Sequence, residues 1–114
     1  MRVVALTPDL LDRSKVSAAF PDVEHVGAAA LLARAAADAD LVLVDLTRPG
    51  APEAVADLTT AGRVVAFGPH VDGELLAAAS AAGAQVLPRS RFFRMLADGS
   101  FTPRKQSGNS PSPS

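Results

Sequence analysis

The apolar run Leu41-Val42-Leu43-Val44 stands between Asp40 and Asp45 with no polar residue inside it. A strand with one solvated face alternates polar and apolar side chains, so an unbroken run of this length is typical of a strand buried on both faces. Such strands occur in parallel sheets that are covered by helices on each side. The segment therefore predicts a central strand of an α/β protein.

Four other short segments of strand length that contain two or more apolar residues occur along the chain, at residues 3–6, 23–26, 64–67 and 85–87. With the central run included, their first residues lie 18 to 23 positions apart. Each interval has room for one helix and its connecting loops, which is the spacing of βαβ units. The pattern predicts a parallel sheet with helices on both faces.

Helix-capping residues support this arrangement. Thr7 is a predicted N-cap with Pro8 in the first helical position, and Pro52 begins a predicted third helix. Asp72 and Ser90 are the predicted N-caps of a fourth and a fifth helix. The second helix is predicted over residues 28–39, with Leu31, Leu32, Ala35 and Ala39 on its buried face.

Length and composition limit the class of protein. The chain has 114 residues and no cysteine, which predicts one domain and excludes disulfides, thiolate metal sites and a cysteine nucleophile. No apolar run approaches the ~20 residues that span a bilayer, and no signal peptide is evident, so we expect a cytoplasmic protein. Residues 1–99 form the predicted domain, and the Ser/Pro-rich residues 100–114 a disordered tail that adds nothing to the core.

The residues that follow the predicted strands form the candidate functional site, because ligands bind at the carboxyl ends of strands in open parallel sheets. These positions hold Thr7 and Pro8 after the first strand, Asp45 after the third, Gly68 after the fourth and Arg89 after the fifth. A small-molecule or cofactor-binding enzyme would use this crevice. The sequence contains no GxGxxG or GxxxxGK(S/T) motif for a nucleotide.

Three other polar residues are weaker candidates. His70 lies in a predicted loop at the same edge, and the lack of a serine or cysteine nucleophile motif around it favours an ordinary loop histidine. Asp9 stands near the start of the first helix, where a carboxylate stabilises the helix N-terminus, and this favours a structural role over metal ligation. His25 falls in a predicted edge strand and is expected to be solvated.

Two segments resemble response-regulator receiver domains. Residues 40–50 are similar to the third strand and following loop of that family, in which the aspartate that ends the strand accepts a phosphoryl group. Asp45 holds that position. Residues 68–90 are similar to the family's fourth loop, fourth helix and fifth strand. The resemblance covers residues 1–99 and implies a doubly wound, five-stranded sheet in flavodoxin-like order 2-1-3-4-5.

The sequence departs from the receiver pattern where the chemistry would take place. Receivers hold Mg²⁺ with the phosphoacceptor and two acidic residues after the first strand, and Thr7 and Pro8 stand at those two positions. Gly68 replaces a serine or threonine, and Arg89 replaces the lysine. A lone carboxylate cannot neutralise the charge that develops in phosphoryl transfer. We therefore expect a degenerate site with no catalytic residue, no Mg²⁺ and no other cofactor.

Asp45 is open to three interpretations. Its carboxylate can accept a hydrogen bond from a neighbouring loop amide, or it can form a bidentate ion pair with Arg89. These two structural interpretations are favoured over the third, in which Asp45 is the phosphoacceptor of an atypical receiver. The favoured hypothesis is a non-catalytic pseudo-receiver, which is a signalling module that binds another protein or a second copy of itself.

The predicted interface lies on the last helix. Residues 1–85 carry a net charge of −5 and residues 86–114 one of +4. The helix is predicted to bury Phe93, Leu96 and Ala97, and to expose a basic and apolar surface. Five positive charges make a small footprint for nucleic acid, which favours a protein partner. In the receiver resemblance this surface belongs to the face formed by helix four, strand five and helix five; its predicted contacts are Arg91, Phe92, Arg94 and Met95.

Overall fold

A computed structural model describes residues 1–58, 61–68, 77 and 83–101 of the chain. A single sheet organises them, with five parallel strands in the order β2-β1-β3-β4-β5. The predicted fold class and strand order are confirmed. The strands are β1 (Val3–Leu6), β2 (Glu24–His25), β3 (Leu41–Asp45), β4 (Arg63–Gly68) and β5 (Gln85–Pro88).

Strand β3 is the centre of the sheet, as its sequence predicts. Val42 pairs with Val4 of β1 on one side and with Val64 of β4 on the other. All five residues of β3 are buried. An apolar run with this burial on both faces can only form where helices cover the sheet on each side.

Four helices are described. They are α1 (Leu10–Ala19), α2 (Leu32–Ala35, preceded by a 3₁₀ turn over Ala29–Leu31), α3 (Ala51–Ala56) and a C-terminal helix (Arg89–Ala97). The fourth helix, which the sequence predicts from Asp72 onward, lies outside the described residues except for Ala77, which is helical. Within the described part of the chain, no helix is long and apolar enough to cross a membrane.

The second helix differs from its prediction. The sequence pattern predicts a helix over residues 28–39 with Leu31 buried, but α2 is shorter and the Leu31 side chain is exposed. The 3₁₀ turn has three residues per turn instead of 3.6, so it rotates Leu31 away from the sheet and leaves Leu32 facing inward. At the C-terminal end of α2, the Arg2 guanidinium donates hydrogen bonds to the carbonyls of Ala35, the last helical residue, and Ala37.

The core has two halves, one on each face of the sheet. Alternate residues of β3 serve both, because successive side chains of a strand point to opposite faces. Val42 and Val44 pack with Leu32 and Val55 beneath α2 and α3. On the other face, Leu41 and Leu43 belong to the half that α1 and the C-terminal helix cover; its further members include Val16, Phe67, Phe92 and Phe101.

The domain extends past its predicted end. Phe101, which the composition assigns to a tail that adds nothing to the core, is 2% exposed. The centroid of the Phe101 ring lies 5.4 Å from that of Phe92. The Arg63 guanidinium lies 5.3 Å from the Phe101 centroid. The chain turns back at Gly99, where φ is +83°, and so returns the aromatic side chain to the sheet. The expectation that the tail adds nothing to the core is therefore wrong at Phe101. Burial of a large aromatic side chain is favourable enough to fix this residue against the core, although the residues around it are polar.

Two truncations test this boundary. Removal of residues 103–114 is expected to leave the melting temperature nearly unchanged, because that segment contains no large apolar side chain. Removal of residues 101–114 also deletes the buried Phe101 and is expected to lower the free energy of unfolding by about 1.5–3 kcal/mol. Thermal and urea unfolding of both proteins give the comparison. Equal stabilities would contradict the structural importance of Phe101.

Candidate functional site

The parallel sheet brings the predicted site positions to one edge. Thr7 follows β1, Asp45 ends β3, Gly68 ends β4, and Arg89 directly follows β5. The register keeps the strand ends level, since Asp45 pairs with Phe67 and Gly68 with Pro88. The strand pattern therefore correctly predicts which residues lie at this edge. The chemistry available to these residues depends on the contacts of their side chains.

Asp45 braces the loop that follows β3. The residue is buried, and its Oδ1 accepts a hydrogen bond of 2.9 Å from the Thr47 amide and one of 2.7 Å from the Thr47 hydroxyl. An aspartate that binds the backbone two residues further on is a common way to stabilise a turn. The interpretation of Asp45 as an acceptor for a loop amide is confirmed.

Arg89 binds a different carboxylate from the one expected. Its Nη1 donates to Asp12 Oδ2 at 2.8 Å, and its Nη2 donates to Asp12 Oδ1, so the pair is bidentate. Asp12 lies on α1, and only 1% of its side chain is exposed, against 50% for Arg89. The predicted Arg89–Asp45 pair is therefore wrong. The first residue of the C-terminal helix lies against α1, and Asp45 is already used by Thr47.

Asp12 is a residue of this edge that the sequence pattern did not single out. A signal for it exists, because Asp12 precedes the buried Val16 by four positions and so occupies the core-facing side of α1. A carboxylate is rarely buried there unless a cation satisfies it. That rule indicates a partner from elsewhere in the chain, but the 77-residue separation from Arg89 hides its identity.

The Arg89 guanidinium is held by aromatic rings as well as by charge. It lies 4.9 Å from the ring centroid of Phe93 and 5.7 Å from that of Phe67, within the range of cation–π attraction. The hydrogen bond to Asp12 raises the pKa of Arg89; partial burial opposes this, and the negative charges of Asp12, Asp45 and Asp9 add to it. The positive charge at this edge is thus compensated by the protein's own carboxylates.

Asp9, and not the predicted Thr7, is the residue that caps α1. Asp9 is the N-cap, and its Oδ1 accepts from the amides of Leu11 at 2.9 Å and Asp12 at 3.2 Å. Thr7 is instead buried, and no hydrogen-bond partner for its Oγ1 is found within the described residues. The predicted Thr7 cap is wrong because Pro8 does not begin the helix, which starts two residues later.

The described residues do not assemble an obvious metal-binding cluster. Across these segments, no group of three or more His, Asp or Glu side chains is placed to hold a metal ion. Asp9 is engaged at the helix N-terminus and Asp12 with Arg89, so neither carboxylate replaces the acidic pair that Thr7 and Pro8 lack. The absence of a Mg²⁺ site stays a prediction.

The C-terminal helix presents a different face from the predicted one. Phe92 is fully buried, with its ring centroid 4.3 Å from that of Phe67, so its assignment to an exposed interface is wrong. Of the predicted inner face, Leu96 is buried as expected, but Phe92 takes the buried position that the pattern gives to Phe93. Phe92 and Leu96 face the sheet and Phe93 is half-buried, whereas Ala97 is exposed. Of the other predicted contacts, Arg91 and Arg94 are exposed and Met95 is half-buried.

The C-terminal helix also begins earlier than predicted. It begins at Arg89 with Pro88 as its N-cap, so Ser90 is not the cap.

His25 has a structural environment. It lies in the edge strand β2 but is half-buried, and its Nε2 is 2.9 Å from the Ser17 hydroxyl oxygen of α1. Burial lowers the pKa of His25, and the positive charge of Arg13 lowers it further. The expectation of a solvated side chain is therefore only half met. His70 lies outside the described residues.

The Asp12–Arg89 pair can be tested by a double-mutant cycle. Arg89→Met leaves a buried carboxylate without its cation, which costs about 3–5 kcal/mol in a fully buried pair. Because solvent screens the half-exposed Arg89, we expect a loss of about 1–3 kcal/mol. The double variant Asp12→Leu with Arg89→Met should recover part of this lost stability, because it removes the buried carboxylate as well. Urea unfolding of the four proteins gives the coupling free energy, and strictly additive losses would show that the pair contributes nothing.

Comparison with known proteins identifies the fold. No protein-family model and no curated protein sequence matches the chain. The chain is similar in structure to the phosphorylated cyanobacterial phytochrome response regulator RcpA, with a TM-score of 0.70 and 15% identity over 88% of this chain and 91% of that one. It is also similar to a response regulator from Thermotoga maritima, with a TM-score of 0.56 and 16% identity over 84% and 97% of the two chains. The chain therefore has the receiver fold of response regulators.

Proposed function

We propose that the protein is a pseudo-receiver, a signalling module that binds another protein without being phosphorylated. The observation that carries this proposal is the ion pair between the buried Asp12 and the half-exposed Arg89, at the edge of the sheet that holds Asp45. By the receiver resemblance, Arg89 stands where a lysine would face a phosphoryl group on Asp45. In this chain the guanidinium already has a carboxylate partner, and Asp45 already braces Thr47.

The remaining chemistry of the edge supports the same conclusion. Phosphoryl transfer requires an attacking group, a metal ion and positive charge around the transferred group. Thr7 and Pro8 supply no carboxylate for Mg²⁺, and Gly68 has no hydroxyl group to offer. A phosphoryl group on Asp45 would therefore carry two negative charges into an edge where Asp9 and Asp12 already lie near Arg89.

Incubation with acetyl phosphate and millimolar Mg²⁺ tests the proposal. We expect the intact mass to stay unchanged, because the residues that hold the metal and neutralise the phosphoryl group are missing. Asp45→Asn is the matched control. A mass gain of one phosphoryl group that disappears in Asp45→Asn would establish an atypical receiver and overturn the pseudo-receiver proposal.

Protein binding is the part of the proposal that the fold supports in general terms. The two structural neighbours are response regulators, and this chain has a folded body with a basic C-terminal end. The predicted face loses Phe92 to the core but keeps the exposed Arg91 and Arg94. The fourth helix of that face lies outside the described residues, so the interface has to be located from what the described helices expose.

A further inference from the structure

A groove runs between α1 and the C-terminal helix. It has a volume of about 600 Å³, and every residue that lines it comes from these two helices. Ala18 and Ala19 contribute from α1, and Phe93 and Ala97 from the C-terminal helix. Short alanine side chains leave space between the helices, and the half-buried Phe93 offers part of its ring as an apolar wall.

The charged residues along the groove are positive. Lys15 of α1 and Arg94 of the C-terminal helix both line it and are both exposed. The Lys15 ammonium lies over the Phe93 ring, 5.0 Å from its centroid, so the cation and the apolar wall are in direct contact. Within the described part of the chain, the ion pairs are Arg2–Glu24 and Arg89–Asp12, and neither groove cation takes part in one.

We propose that this groove binds an acidic segment of a partner protein, with an apolar side chain of that segment against Phe93 and the alanines. This proposal rests on the proposed function as a protein-binding module and names its surface and the chemistry of its partner. Carboxylates of the segment would pair with Lys15 and Arg94, the two cations that line the groove. Aromatic and arginine side chains are enriched in protein interfaces, and charge complementarity selects the partner.

A synthetic peptide of defined chemistry tests the groove directly. The probe contains Glu and Ala, with two Leu residues one helical turn apart, and a second peptide replaces every Glu by Lys. Titration of the intact protein is followed by amide NMR shifts. We expect saturable shifts at Ala18, Phe93 and Ala97 with the acidic peptide alone, and weaker binding as salt rises.

Matched variants separate the groove from general electrostatics. Lys15→Glu with Arg94→Glu is expected to weaken binding of the acidic peptide by about tenfold or more. Ala97→Gln should also weaken it, because a longer side chain fills the groove without a change of charge. Arg34→Glu is the control, since Arg34 is an exposed cation on α2, on the opposite side of the sheet.

Three outcomes would overturn the proposal. They are no binding of the acidic peptide, equal binding of the Lys peptide, or an equal loss in Arg34→Glu. Concentration-dependent self-association that Lys15→Glu with Arg94→Glu abolishes would assign the groove to a second copy of this chain instead. The proposed function fails separately, through phosphorylation of Asp45, so a failed groove leaves the pseudo-receiver standing.

Discussion

Replacement of Phe92 by alanine is expected to lower the free energy of unfolding by about 3–5 kcal/mol. Phe92 is fully buried and lies at the centre of an aromatic cluster, with ring centroids 4.3 Å from Phe67, 4.9 Å from Phe93 and 5.4 Å from Phe101. The chain has no Trp or Tyr, so few other side chains could fill the cavity. Truncation therefore removes apolar burial and leaves a void that the cluster cannot close.

Phe93→Ala is the matched control for this prediction. Its ring contacts Phe67 and Phe92 edge-on but remains half-exposed, so the same truncation is expected to cost clearly less. Urea unfolding monitored by circular dichroism measures both variants. A loss below about 1 kcal/mol for Phe92→Ala would place the ring at the surface and contradict the packing of the C-terminal helix.

Leu43→Ala carries the second large effect, a loss of about 2–5 kcal/mol. Leu43 is fully buried in the central strand and pairs with Ala5 on one side and Val65 on the other. Its side chain belongs to the core half that contains Phe67 and Phe92. Two neighbouring strands and the helices above them hold the surrounding atoms in place, so the cavity cannot collapse fully.

Leu10→Ala provides the same chemical change without burial. Leu10 begins α1 and is 80% exposed, and we expect its truncation to alter stability by no more than about 0.5 kcal/mol. Equal effects at Leu10 and Leu43 would contradict the placement of β3 at the centre of the sheet.

The strands could be predicted because their signal is local. The run around Leu43 has no polar position, and the spacing of the other apolar runs leaves room for one crossover helix each. Parallel connections then constrain the layout, and the family resemblance implies the observed order. The same reasoning places Asp45, Gly68 and Arg89 at one edge, since they follow strands that run in the same direction.

The contacts could not be predicted because they depend on helix rotation and on distant parts of the chain. The C-terminal helix begins two residues before its predicted start, with Pro88 in place of Ser90 as N-cap, and its packing buries Phe92 where the pattern predicts Phe93. Arg89 could have met either Asp45 or Asp12, and only the packing of the helix against α1 selects Asp12. Phe101 could not be predicted as a core residue because it is a single aromatic residue in a Ser/Pro-rich segment, whose composition is typical of a disordered tail.

Asp45 and Arg89 both make internal contacts, with Thr47 and Asp12, and we expect neither to respond to a phosphoryl group. The most direct measurement is a titration with beryllofluoride, a phosphoryl mimic, in the presence of Mg²⁺. It is read from the NMR signals of the Thr47 amide, which donates to Asp45, and of the Arg89 guanidinium, which binds Asp12. Both signals are expected to stay in place. Saturable shifts of both signals, lost in Asp45→Asn, would contradict this expectation.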